Sequence, residues 1–220
     1  MSGPIKIIAC AVVAEELREL RVAEEDIITL EFGLHVNPEE LKKTLQREID
    51  SVTGECDILL GYGLCSNAAV GLKSDTRRLV IPGVDDCIAL FLGSKAEHVR
   101  RLAEEPGTYF LTKGWVEAAD LPLNEYLALV EKYGEKRATR VTKVMYANYT
   151  RVALINTGNY CIEHCRDFAK MMAEFLELGF EEIPGSNRLL EKMLAGDWDD
   201  EFIVIPPGEE ITLDHFYPQV

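Results

Sequence analysis

The sequence predicts an α/β fold with a largely parallel sheet or sheets and flanking helices, and three observations carry that reading. Short apolar runs alternate with amphipathic stretches along the whole chain, the pattern of strands joined by crossover helices. Ile58-Leu59-Leu60 and Leu79-Val80-Ile81 are apolar without alternation, as in strands buried on both faces. Several runs end in glycine turns or polar loops, where open α/β sheets place their ligand sites.

In chain order, Ile5 to Ala9 is the first strand, with Cys10 at its carboxyl end and a helix from Ala14 to Arg21. Asp26 to Phe32 is the second strand, followed by His35. Asn37-Pro38 opens a helix as N-cap and first residue; Leu41, Leu45 and Ile49 recur every four residues on its buried stripe. Cys56 precedes the third strand, which runs into Gly61-Tyr62-Gly63-Leu64-Cys65-Ser66-Asn67. Leu79 to Ile81 is the fourth strand, ending in Pro82-Gly83-Val84-Asp85-Asp86-Cys87. A helix covers about 95–104, a strand Thr108 to Thr112, and Lys113-Gly114-Trp115 follows. Leu123 to Tyr133 and Arg137 to Tyr149 are helical. Arg151 to Ile155 is a strand closed by Asn156-Thr157-Gly158-Asn159-Tyr160. Cys161 to Leu178 is a long helix with Gly179 as its left-handed C′ residue, a further helix carries Leu189 to Leu194, and Phe202 to Ile205 is the last strand. The expected organisation is two Rossmann-like lobes, 1–115 and 151–220, joined by a helical connection over 116–150. One continuous sheet with a helical insertion is the alternative.

The 220 residues are 47% hydrophobic with mean hydropathy −0.03, so the chain can bury a sizeable core and wholesale disorder is excluded. The net charge of −15 repels phosphate backbones, which argues against nucleic acid as a partner. No apolar run approaches the roughly 20 residues that span a bilayer, and the first strand begins without a signal-peptide pattern. The expected location is cytoplasmic, with no membrane partner. There the six cysteines are thiols, metal ligands or catalytic groups rather than disulfides.

The rule that ligands sit beyond the carboxyl ends of the strands gathers the unusual residues. Cys10, Cys65 and Cys87 follow three different strands; three thiolates suit zinc with an open position, or an iron–sulfur cluster with one exposed iron. Three small buried hydrophobes are the plain alternative. Gly61, Gly63 and Gly83 allow positive φ or close approach of a ligand, and Asn67 stands beside them. Asp85 and Asp86 are candidates for proton or ligand contacts, or for turn capping. His35 and Asp86 are the acid–base candidates. Lys113 and Trp115 suit an anionic or aromatic ligand, and Asn156, Thr157, Asn159 and Tyr160 complete the set. Cys56, on the opposite edge, is expected to be inert. Cys161, His164 and Cys165 share a helical face and are a further potential metal set. His98 and His215 have no constellation around them.

Gly61-Tyr62-Gly63-Leu64-Cys65, the run from Ile81 to Ser94, the run from Pro106 to Trp115, and Leu194-Ala195-Gly196-Asp197-Trp198 with Phe202 and Pro207-Gly208-Glu209 resemble the bacterial and archaeal family of unknown function numbered 1638. The resemblance covers nearly the whole chain. It implies no assigned activity. It does imply an association, often in anaerobes, with corrinoid-dependent methylamine methyltransferase systems, hence a corrinoid, a corrinoid protein or a methyltransferase as partner. The expected function is therefore a zinc- or iron–sulfur-thiolate enzyme, such as a methyltransferase, or an accessory protein of one-carbon metabolism that acts on a small molecule. The alternatives are a non-catalytic binder of a small molecule or corrinoid, and an acidic interaction protein for a methyltransferase.

Overall fold

The computed structural model describes residues 3–118 and 122–218. Their strands and helices are β1 (Ile5–Cys10), α1 (Ala11–Glu19), β2 (Ile27–Leu30), α2 (Pro38–Ser51), β3 (Asp57–Gly61), β4 (Leu79–Pro82), α3 (Cys87–Leu92), α4 (Lys95–Glu104), β5 (Thr108–Leu111), α5 (Lys113–Ala118), α6 (Pro122–Tyr133), α7 (Glu135–Met145), β6 (Arg151–Asn156), α8 (Glu163–Leu176), β7 (Gly179–Pro184), α9 (Arg188–Ala195), β8 (Phe202–Ile205) and α10 (Leu213–Phe216). Within the expected helical connection, residues 119–121 lie outside the described residues.

The strands form two sheets, one mostly and one wholly parallel. The first has the order β2-β1-β3-β4-β8, with β8 alone antiparallel, pairing Leu79 with Ile205 and Pro82 with Phe202. The second is β5-β6-β7. The unbroken apolar runs are central strands, and Ile7, Ile8, Ile58, Leu59, Leu60, Leu79, Val80 and Ile81 are fully buried. In α2 the Asn37 side chain accepts from the Glu40 amide, and Leu41, Leu45 and Ile49 are buried as the four-residue spacing requires.

The chain divides into two compact units, residues 1–98 with 186–220, and residues 99–185. The expected lobes at 1–115 and 151–220 are therefore corrected. The last strand belongs to the first sheet, because the apolar run from Phe202 to Ile205 covers the free edge of β4. In the first unit the Ser186 amide donates to the Phe91 carbonyl and Arg188 to the Gly93 carbonyl, which fixes where the chain re-enters that unit. In the second unit α8 lays Cys165, Ala169, Met172 and Ala173 on Leu111, Val152 and Leu154.

Local differences have identifiable causes. β2 is shorter than expected because Glu24–Asp26 and Phe32–Val36 form tight 3-10 turns at its ends. β7 carries adjacent carboxylates, Glu181 and Glu182, which mask its strand character; Arg151 and Arg166 pair with them. The left-handed residue that ends α8 is Glu177 (φ 59°), whereas Gly179 begins β7.

Candidate functional site

The carboxyl edge of the first sheet gathers the chemistry. β1 ends in Cys10, the loop after β3 carries Tyr62 and Cys65, and the loop after β4 delivers Cys87 as the first residue of α3. The loops after β3 and β4 are zipped together: the Leu64 amide donates to the Val84 carbonyl (2.8 Å) and the Cys65 amide to the Asp85 carbonyl (3.0 Å). Gly63 is the residue that permits this approach. A Cβ there would stand 2.7 Å from the Val84 oxygen and 2.9 Å from the Asp86 nitrogen, and one on Gly61 would stand 2.8 Å from the Ala9 Cβ. Neither Gly61 nor Gly63 takes positive φ. The residues that do are Cys65, Ser66 and Asn67, at 47°, 56° and 69°. Left-handed backbone costs a non-glycine residue roughly 1–2 kcal/mol, and such strain concentrates at ligand clamps and active sites.

Tyr62 stands at the centre. It is 1% exposed, and its hydroxyl has no hydrogen-bond partner among the described residues. Burial raises its pKa far above the phenol range, and charge on Cys10, Cys65 or Cys87 would raise it further, so all three thiols lie within electrostatic reach of one hydroxyl. Burial pushes Cys10 up to about 11 and Cys65 up to about 12, so both are protonated thiols at neutral pH. Among the described residues no group of three or more His, Cys, Asp or Glu side chains is arranged to hold a metal ion.

His35 joins the cluster through its ring. It stacks between Phe32 and Tyr62, with centroids 5.3 and 5.9 Å away. Its Nδ1 lies 3.0 Å from the Phe32 carbonyl, which only accepts, so Nδ1 carries the proton and Nε2 presents a bare lone pair. Nε2 is buried without a partner among the described residues, and burial lowers the His35 pKa, which keeps the ring neutral.

The two aspartates do other work. Asp86 caps α3 by accepting from the Ile88 amide at 2.9 Å. Asp85 accepts from the Tyr217 hydroxyl (2.6 Å) and from Lys95 (3.3 Å). His98, which has no neighbours in the sequence to single it out, is buried with Nδ1 3.9 Å from the Asp86 carboxylate. Gly83 borders a small cavity of about 220 Å³ with Lys95, Leu189 and Glu201. Asn67 is exposed.

The other expected contacts belong to the second unit. Lys113 pairs with Glu117 and lies 4.8 Å over the Tyr160 ring. Trp115 packs against the hydrophobic core there. Asn156 donates to Glu182 and accepts from the Gly158 amide, which closes the turn carrying Thr157, Asn159 and Tyr160. Cys161, His164 and Cys165 do not form a metal set. Cys161 and His164 are exposed, Cys165 is 2% exposed in the core, and α8 starts only at Glu163.

Cys56 lies before β3, in a cleft with Arg77 and Arg78. Cys56→Ser is expected to shift stability by less than about 0.5 kcal/mol, as for surface substitutions away from special features, and to leave the reactivity of the other five thiols unchanged. Denaturant melts and thiol titration in denaturant-free buffer check this; slowed or accelerated labelling of Cys10 or Cys65 would contradict it.

A family model described as "Protein of unknown function (DUF1638)" matches residues 29–194, and the chain belongs to that family. No curated protein and no solved structure matches it.

Proposed function

We propose that this DUF1638 protein binds a small molecule at the carboxyl edge of its first sheet, with the Tyr62 hydroxyl and His35 Nε2 as polar contacts and the thiols of Cys10, Cys65 and Cys87 around them. The observation that carries the reading is the pair of unpartnered polar atoms, Tyr62 Oη and His35 Nε2, buried in one ring stack. Buried polar groups are nearly always satisfied, and an orphan invites a ligand or an ordered water. The strained turn at Cys65-Ser66-Asn67 supports the same place. If the ligand reacts there, His35 is the group placed to take a proton, since Nε2 is unprotonated. Asp86 serves as a helix cap and a neighbour of His98.

The convergence of three thiols on one hydroxyl favours a second reading, a zinc or iron–sulfur centre held by Cys10, Cys65 and Cys87. Among the described residues the side chains as placed gather no three ligands, and a metal binding there would displace the protons that Cys10 and Cys65 carry without it. The thiols would have to turn and ionise. An anaerobic Co(II) titration distinguishes the readings, because a cobalt–thiolate charge-transfer band lost in Cys65→Ala supports the metal centre and no band rejects it.

The first ligands to try are corrinoids and methylated amines, which would place the protein in one-carbon methyl transfer beside a corrinoid protein or methyltransferase. Equilibrium binding of hydroxocobalamin and of mono-, di- and trimethylamine should give saturation with one probe and none in His35→Phe that remains folded by circular dichroism. No saturation with any probe rejects the one-carbon assignment, and unchanged binding by His35→Phe moves the site elsewhere.

A further inference from the structure

The second unit contains a pocket of about 490 Å³, within the range of small-molecule sites. Its walls include the rings of Tyr126, Tyr146, Tyr149 and Phe175, and its lining also includes Lys143 and Glu177. The rings meet at steep angles, with Tyr126 edge-on to Phe175 at 5.0 Å and Tyr146 tilted 40° from Tyr149 at 5.9 Å, so they enclose a space rather than form a parallel slot. Tyr146 donates its hydroxyl to Glu125 at 2.6 Å, and Tyr126 is within 3.4 Å of the Thr139 hydroxyl. With those two hydroxyls engaged, the rings, Ala147, Leu176 and Leu178 supply the apolar part of the lining, beside the polar Thr139, Thr142, Lys143 and Glu177.

Charge is placed differently. Lys143 Nζ and Glu177 Oε1 are 2.9 Å apart, and their side chains are 64% and 75% exposed. An ion pair this open to water contributes little to stability, so either member can exchange its partner for a ligand at small cost. Glu177 is also one of the few non-glycine residues with positive φ, at the position after α8 where glycine is the favoured choice.

We propose that this pocket binds a zwitterionic small molecule with an apolar or aromatic tail, of the class of a free aromatic amino acid. Its carboxylate pairs with Lys143, its ammonium pairs with Glu177, and its tail lies among Tyr126, Tyr146, Tyr149 and Phe175. The two head-group charges of such a molecule match the sign and spacing of the lysine–glutamate pair, while the four rings give an apolar tail a surface to pack on.

The test is isothermal titration of the full chain with L-phenylalanine as probe. 2-Phenylethylamine lacks the carboxylate, 3-phenylpropionate lacks the ammonium and L-serine lacks the ring. Saturable binding of L-phenylalanine is expected, with each control at least about tenfold weaker. Glu177→Gly should abolish binding and raise the melting temperature, since glycine relieves the left-handed strain. That combination separates a ligand contact from a residue needed only for folding. Lys143→Met, which leaves the backbone untouched, should also lose binding. No saturable heat with L-phenylalanine overturns the proposal, as does unchanged affinity in either variant or equal affinity for 2-phenylethylamine.

Discussion

Gly63→Ala should lower the unfolding free energy by about 3 kcal/mol, the upper part of the range for overpacking a close-packed interior. The added Cβ would stand 2.7 Å from the Val84 oxygen and 2.9 Å from the Asp86 nitrogen. Both are backbone atoms, so no side chain can rotate away. Relief requires the loops after β3 and β4 to separate, which breaks the bonds from the Leu64 and Cys65 amides to the Val84 and Asp85 carbonyls. The cost therefore comes from packing of protein on protein, and a Gly63→Ala protein should melt earlier whether or not a ligand is added. Urea denaturation of the variant against the native chain measures it. A change below about 1 kcal/mol would mean that the two loops are not tightly zipped in solution.

The second large effect has the opposite sign. Tyr62→Phe removes a buried hydroxyl with no partner among the described residues and leaves the ring that stacks on His35. An unsatisfied buried polar group costs about 1–3 kcal/mol, so the variant should be more stable by about 1–2 kcal/mol. The same hydroxyl is a proposed ligand contact, so binding at the thiol cluster should weaken while stability rises. Denaturation and ligand titration of one Tyr62→Phe preparation give both values. Unchanged or reduced stability would show that the hydroxyl is satisfied, by ordered water or a shifted thiol, and the argument for a ligand there would lose its main support.

The placement of Cys10, Cys65 and Cys87 was legible because each follows an apolar run and parallel strands bring their carboxyl ends to one edge. The importance of Tyr62 was not, because nothing local tells whether a buried phenol finds an acceptor. The strain at Cys65-Ser66-Asn67 was equally silent, since Ser and Cys carry no signature of left-handed backbone. His98 stood alone in the sequence because its neighbour Asp86 is twelve positions away and meets it only through the packing of α4. The apolar run at Phe202–Ile205 marks a strand, but four apolar residues do not say which sheet they join or in which direction. The aromatic pocket has no local signature for a related reason. Tyr126 is on α6, Tyr146 and Tyr149 are in the turn after α7, and Phe175 is on α8, at spacings that ordinary core residues use.

The antiparallel strand at the edge of the first sheet bears on how the protein is made. β4 is complete at Pro82, but its partner β8 is not translated until Phe202–Ile205, after the whole of 99–185. During synthesis the first unit therefore waits with an unpaired apolar strand edge, the kind of surface that recruits other chains. The second unit is contiguous in sequence and can fold in that interval without any later residue. The nascent chain thus completes its inserted unit before its outer one, and its most aggregation-prone moment falls between the emergence of β4 and that of β8.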